Sequence, residues 1–142
     1  MPAITVSLAN VEGTGAAMGW AGSHTLVVDR PQDRAGGTGL GFNGGELLAL
    51  ALGGCFCNDL RYAAEALGVA LGRIGVSVTL ELSGSPLIVT SARMSVTCET
   101  LDGSSPGRVF DHATANCTVA NSLRQGIAVS IRMDEPPPPP VP

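Results

Sequence analysis

An α+β fold, with antiparallel strands before and after one long apolar helix, is what the sequence predicts, and three observations carry the prediction. The run from Glu46 to Leu67 is built of good helix formers without β-branched residues, and it stops at Gly68, a residue suited to the left-handed turn that ends helices. Beyond it, residues 74–82 (IGVSVTLEL) and 87–98 (LIVTSARMSVTC) alternate apolar and polar about an SGSP turn, the period of a half-buried hairpin. Before it, residues 3–9 (AITVSLA) and 24–29 (HTLVVD) show the same alternation over shorter spans.

In chain order, these first two runs flank a glycine-rich stretch with Met18 and Trp20, and together predict two or three antiparallel strands. From Arg30 to Gly45 the density of glycine, opened by Pro31, predicts an irregular loop. In the helix that follows, Leu47, Leu48, Ala51, Leu52, Cys55 and Phe56 surround much of the first half, which should be buried on most sides. Polar positions from Asn58 onward bring the second half to a surface. After the hairpin and a DGSSPG loop, residues 107–123 read as helix interrupted around Cys117, and GIAVSIRM from Gly126 reads as a last strand. The expected order is β-β-(β)-α-β-β-α-β. Residues 1–134 form one domain in this reading, and 135–142 a disordered tail, because proline lacks the N–H donor and fixes φ.

Composition narrows the function classes. A length of 142 residues suits one domain. With 44% hydrophobic against 14% charged residues, the chain is apolar enough to call for a further buried surface, which a homo-oligomer would supply. All eight basic residues are arginine, the net charge is −4, and no basic cluster offers a nucleic-acid footprint. The N-terminus, MPAITVSLANVEG, has neither a basic region nor an apolar run of the kind that signals export, and no span suits a membrane helix. A cytoplasmic location is therefore expected, where four cysteines are reduced rather than locked in structural disulfides.

Gly39, Gly41 and Gly44 spell GLGFNG, formally the glycine pattern of a dinucleotide site. Nine residues including Pro31 separate it from the strand it should follow directly, so no such cofactor is expected. His24 and His112 lack the paired spacing of metal ligands, and no metal is expected either. Cys55 and Cys57 stand roughly 200° apart around a helix and cannot easily bridge each other. Cys98 and Cys57 read as small buried hydrophobes. Cys55 lies too far inside its helix for the N-terminal dipole to activate it, so any activation must come from tertiary neighbours.

The segments GELLALALGGC, the polar helix end AEALG and the distant CTVANSLRQGIAVSI resemble the OsmC/Ohr superfamily, as do HTLVVDRP and the order of elements. This resemblance implies an intertwined homodimer with two long central helices packed together, antiparallel sheets around them and active sites at the subunit interface. It further implies a thiol-dependent peroxidase for organic hydroperoxides, with Cys55 attacking the O–O bond, Cys117 resolving the sulfenic acid, and a dithiol such as a lipoyl or thioredoxin-like carrier as reductant; no bound cofactor is implied. The activating arginine that hydroperoxide resistance enzymes carry in their N-terminal hairpin has no counterpart in residues 3–26, and Gly45 stands where they hold a glutamate, with Glu46 next to it. Arg30, Arg34 and Arg124 are the substitutes within reach in the sequence. Asp59, one turn past Cys55, would oppose ionisation of that thiol if it faced it unpaired, and Thr118 replaces the proline expected after Cys117. The alternative implied is a non-catalytic relative that binds a small apolar ligand at the dimer interface.

Overall fold

The computed structural model describes residues 2–135, so the proline-rich tail expected from 135 onward lies, apart from Glu135, outside them. Among these residues the order is β1 (Ser7–Asn10), β2 (Ala17–Ala21), β3 (His24–Val28), α1 (Gly44–Leu67), β4 (Leu71–Ser83), β5 (Ile88–Thr100), α2 (Gly107–Asn116) and α3 (Thr118–Gln125). Two antiparallel sheets result, β1-β2-β3 and β4-β5.

Helix α1 has closed ends. The Asn43 side chain accepts from the Glu46 N–H at 2.9 Å and donates to Glu46 Oε1 at 3.0 Å, a reciprocal cap that places a carboxylate over the free N–H groups of the first turn. At the other end Gly68 adopts φ 66°, its N–H bonds the Glu65 carbonyl, and the Val69 N–H bonds the Ala64 carbonyl at 2.9 Å. The helix lies on the β4-β5 hairpin, whose inward side chains alternate with period two: Ile74 and Val76 from one strand, Met94, Val96 and Cys98 from the other. At Gly53 an added Cβ would come 3.0 Å from Val78 Cγ2, so a glycine lets helix and sheet approach closely there. Helix α2 packs against α1 beside the hairpin through Val109 and Ala113, and Phe110 meets Phe56 edge to face at 5.8 Å. Phe56, Leu60, Ala63, Ala64, Val109, Ala113 and Cys117 form the core.

Two expectations need correction. The segment after Gly126 forms no strand: residues 126–135 carry no regular structure, and Ile127, Val129, Ile131 and Met133 are largely exposed. A strand needs a hydrogen-bonding edge, and no strand among the described residues pairs with this one. Burial along α1 is also shared between its halves rather than concentrated in the first: Leu52 and Phe56 are buried as expected, but Leu50, Ala51 and Gly54 face outward, and the second half, exposed at Asn58, Arg61 and Tyr62, still supplies Leu60, Ala63 and Ala64 to the core. The cover for α1 comes from α2 and the hairpin, which reach only one side of it. Among the described residues α1 is the one long helix, and the later helical residues are interrupted at Cys117 as expected, into pieces of 10 and 8.

Candidate thiol site

The site begins with helix periodicity. Cys55 and Asp59 are four residues apart on α1, hence on one face, one above the other. The Cys55 thiol points at the carboxylate, with Sγ 3.5 Å from Asp59 Oδ2. Cys117 comes from the break between α2 and α3. Its φ of −66° and ψ of 108° leave the helical region, and its carbonyl accepts from the Asn121 N–H at 2.9 Å to start α3. That break turns the Cys117 side chain into the core, where it is fully buried. The two sulfur atoms and an Asp59 oxygen all lie within 4.8 Å of one another. Burial pushes the Cys117 thiol up to about 11; the Ala120 N–H works against this, while Asp59 and Cys55 add to it. Cys117 is thus a protonated thiol at neutral pH, whereas Cys55 is only half-buried and reachable.

The other cysteines stand apart from this cluster. Cys57 is half-buried on α1. Cys98 sits on β5 opposite Ile74, and burial raises its pKa. All four cysteines are free thiols.

Of the further residues singled out in the sequence, none joins the thiols within this chain. Arg30 is held in the loop after β3, 3.5 Å from Asp29 Oδ1 and donating to the Gly15 carbonyl. Arg34 belongs to a tight turn, its N–H bonded to the Pro31 carbonyl and its carbonyl accepting from Gly37. Glu46 caps α1, nine residues and about 13 Å along the axis from Cys55 at 1.5 Å per residue. Arg124 comes nearest: it bonds Asn121 Oδ1 at 3.0 Å and lines the same cleft as Cys117. Among the described residues no guanidinium makes a hydrogen bond or ion pair with Asp59 or either thiol.

Asp29 was not singled out in the sequence, yet it organises the loop from Arg30 to Gly45. Its carboxylate accepts from the N–H groups of Arg30, Thr38 and Leu40 and from the Thr38 hydroxyl at 2.8–3.1 Å. These bonds, that of Leu40 foremost, hold its pKa at about 2. Gly41 of GLGFNG serves the same crossing, because a Cβ there would collide with the Val27 carbonyl. The only sequence signal was an acidic residue at a strand end ahead of a glycine-rich stretch.

A cleft of ≈ 570 Å³ opens beside the cluster, lined by Leu52, Phe56, Met94, Phe110, Cys117 and Arg124 among others. It is apolar except near Arg124 and the hydroxyls of Thr90, Ser91 and Thr114. A smaller concavity of ≈ 180 Å³ lies on the N-terminal sheet, around Leu8, Trp20 and Leu26.

A family model described as OsmC-like protein matches residues 37–132, which hold α1, the hairpin, both short helices and all three members of the cluster. The fold is similar to that of an OsmC-like protein from Mycoplasma pneumoniae, with TM-score 0.73 at 16% identity over 87% of this chain and 88% of that one. It is also similar to an OsmC-like protein of unknown function from Vibrio cholerae, with TM-score 0.73 at 13% identity over 86% and 94% of the two chains. An organic hydroperoxide resistance protein OsmC from Legionella pneumophila gives TM-score 0.62 at 17% identity over 87% and 90%. No curated protein matches the sequence.

Proposed function

The chain belongs to the OsmC-like family, and we propose that within it this protein is a thiol-dependent peroxidase that reduces organic hydroperoxides through Cys55 and Cys117. The observation that carries this reading is the meeting of the two thiols, 62 positions apart in sequence, within 4.8 Å of each other, with Cys117 in the wall of a largely apolar cleft. Similar structures of proteins named for organic hydroperoxide resistance support the substrate class.

In this mechanism Cys55 is the nucleophile, because it is the reachable sulfur of the pair. Asp59, in hydrogen-bond contact, takes the thiol proton as the S–O bond forms. The sulfur attacks the terminal peroxide oxygen, the O–O bond breaks, and the alkoxide leaves as alcohol with a proton. Cys55 is now a sulfenic acid, two electrons oxidised. Cys117 displaces the hydroxyl, which leaves as water with the Cys117 proton, and a disulfide closes. An external dithiol, such as a lipoyl or thioredoxin-like carrier, then restores both thiols by exchange. The apolar cleft would hold the organic part of the substrate.

The working form in this reading is an intertwined homodimer. Its support is the apolar surface this chain leaves wet: Ile127, Val129, Ile131 and Met133 at alternate positions, and Leu50 on the outer face of α1. A partner would bring a second long helix against α1, offer a strand edge to residues 126–133, and could bring an arginine to the thiols. The cytoplasm, where thiols are kept reduced, is the compartment this chemistry suits, and among the described residues no helix is long and apolar enough to cross a membrane.

A second reading, an OsmC-like protein that binds a small apolar ligand without turnover, is favoured by one observation: a carboxylate, not a guanidinium, faces Cys55. Consumption of cumene hydroperoxide with dithiothreitol as reductant separates the two. The peroxidase reading expects turnover that Cys55→Ser abolishes; equal rates for parent and variant would leave the binding protein.

A further inference from the structure

The same three side chains have a property that peroxide chemistry does not use. We propose that Cys55, Asp59 and Cys117 form a binding site for a thiophilic divalent cation of the zinc type, with two thiolate sulfurs and one carboxylate oxygen as ligands. This rests on the cluster alone and holds whether or not the protein consumes peroxide.

The ligand set has the chemistry of zinc, which takes Cys sulfur at about 2.3 Å and carboxylate oxygen at about 2.0–2.2 Å in tetrahedral arrangement. Those lengths put neighbouring ligand atoms roughly 3.5–3.8 Å apart. Cys55 Sγ and Asp59 Oδ2 already stand at 3.5 Å, one edge of such a tetrahedron. The remaining separations, none above 4.8 Å, need to contract by no more than about 1.3 Å, within the reach of a side-chain rotation. Helical spacing i, i+4 sets Cys55 and Asp59 on one face, as metal-binding pairs on helices are set. Cys117, on a separate element, supplies the third direction. Three protein ligands leave a fourth position of the tetrahedron for a water.

Charge supports the same conclusion. Asp59 is half-buried and forms no ion pair among the described residues; its carboxylate faces the Cys55 and Cys117 thiols. A divalent ion would provide the positive charge this carboxylate lacks and would deprotonate both thiols on binding. The consequence is a damped site: sharing a lone pair with the metal makes the Cys55 sulfur a weaker nucleophile toward an oxidant or alkylating reagent.

Cobalt(II), a spectroscopic stand-in for zinc, tests this on the full-length reduced protein. Titration should give one ion per chain with thiolate-to-cobalt charge-transfer absorption in the near ultraviolet, lost on adding zinc. Cys55→Ser and Cys117→Ser should each remove about half of that intensity and, like Asp59→Asn, weaken binding by at least roughly tenfold, the size of effect that even outer-shell partners of metal sites show. Cys57→Ser combined with Cys98→Ser should leave spectrum and stoichiometry unchanged. Because Cys117 is buried, circular dichroism of each variant accompanies the titration, and the half-buried Cys55→Ser and Asp59→Asn decide if Cys117→Ser does not fold. Charge-transfer absorption that is absent, or that survives in Cys55→Ser while vanishing without Cys57 and Cys98, would overturn the assignment. Peroxide turnover measured on the metal-free protein keeps the two ideas apart: cobalt binding without turnover defeats the peroxidase alone, and turnover without cobalt binding defeats the metal site alone.

Discussion

Where α1 meets α2 and the β4-β5 hairpin, Phe56, Leu60, Ala63, Val109 and Ala113 exclude water from one another. The N-terminal sheet and the segment after α3 carry residues just as apolar, yet Leu8, Trp20, Ile127, Val129 and Ile131 remain 39–93% exposed. The two regions differ in the supply of cover rather than in hydrophobicity. Long helix and hairpin are close in sequence and close on each other, while three short strands and a lone alternating segment have no comparable second layer among the described residues. The thiol cluster lies on the self-sufficient side: Cys55 and Asp59 sit on the covered helix, and Cys117 belongs to the core.

This contrast can be broken most severely at Leu60. Leu60→Ala leaves a cavity in a fully buried position, and urea unfolding should show a loss of about 2–5 kcal/mol. A comparable loss from truncating Ile131, 93% exposed here, in a chain shown to be monomeric would erase the distinction. In the dimeric reading, Val129→Asp with Ile131→Asp should shift the light-scattering mass from two chains to one at micromolar concentration and leave the helical circular dichroism intact. An unchanged mass would mean the segment lies outside any interface.

Between these regions, Asp29 ties down the loop that leads from β3 into α1. Its pKa is lowered from 3.8 to about 2 in the folded chain, so its stabilising contribution is complete above 3.8 and is lost as pH falls through about 2. Asp29→Asn should therefore flatten the acid limb of a melting-temperature profile in that window, and an unaltered limb would show that the loop does not draw on this carboxylate. The smallest effect belongs to the outer face of the hairpin. Arg73 makes a two-pronged pair with Glu99 at 3.0 and 3.2 Å, but both side chains are mostly exposed, and Arg73→Ala should cost less than about 1 kcal/mol by denaturant titration.

Legibility in the sequence followed the range of the interactions involved. Helix α1 was readable nearly to its ends, because helix propensity and the Gly68 stop act within a few residues. The SGSP hairpin and the helix break at Cys117 were readable for the same reason. What could not be read depends on distant partners. Asp29 reaches Leu40 across eleven residues. The apolar alternation after Gly126 becomes a strand only if another strand takes it up, and among the described residues none pairs with it. The site was legible as a pair of cysteines through family resemblance. The i, i+4 placement of Asp59 was visible in the sequence, but the triangle it forms with Cys117 needed the path of α2 to be known.

The central claim is that Cys55 and Cys117 act as one redox pair, and peptide mapping of the protein after one equivalent of cumene hydroperoxide tests it most directly. The expected product is a single 55–117 disulfide, with Cys57 and Cys98 still alkylatable, and a trappable sulfenic acid on Cys55 once Cys117 is changed to serine. A disulfide requires Cα atoms roughly 4.4–6.8 Å apart and converging side chains, a condition that neighbouring positions 55 and 57 on an intact helix do not meet. Recovery of all four thiols unmodified, or of a bridge that leaves out Cys117, would contradict the account.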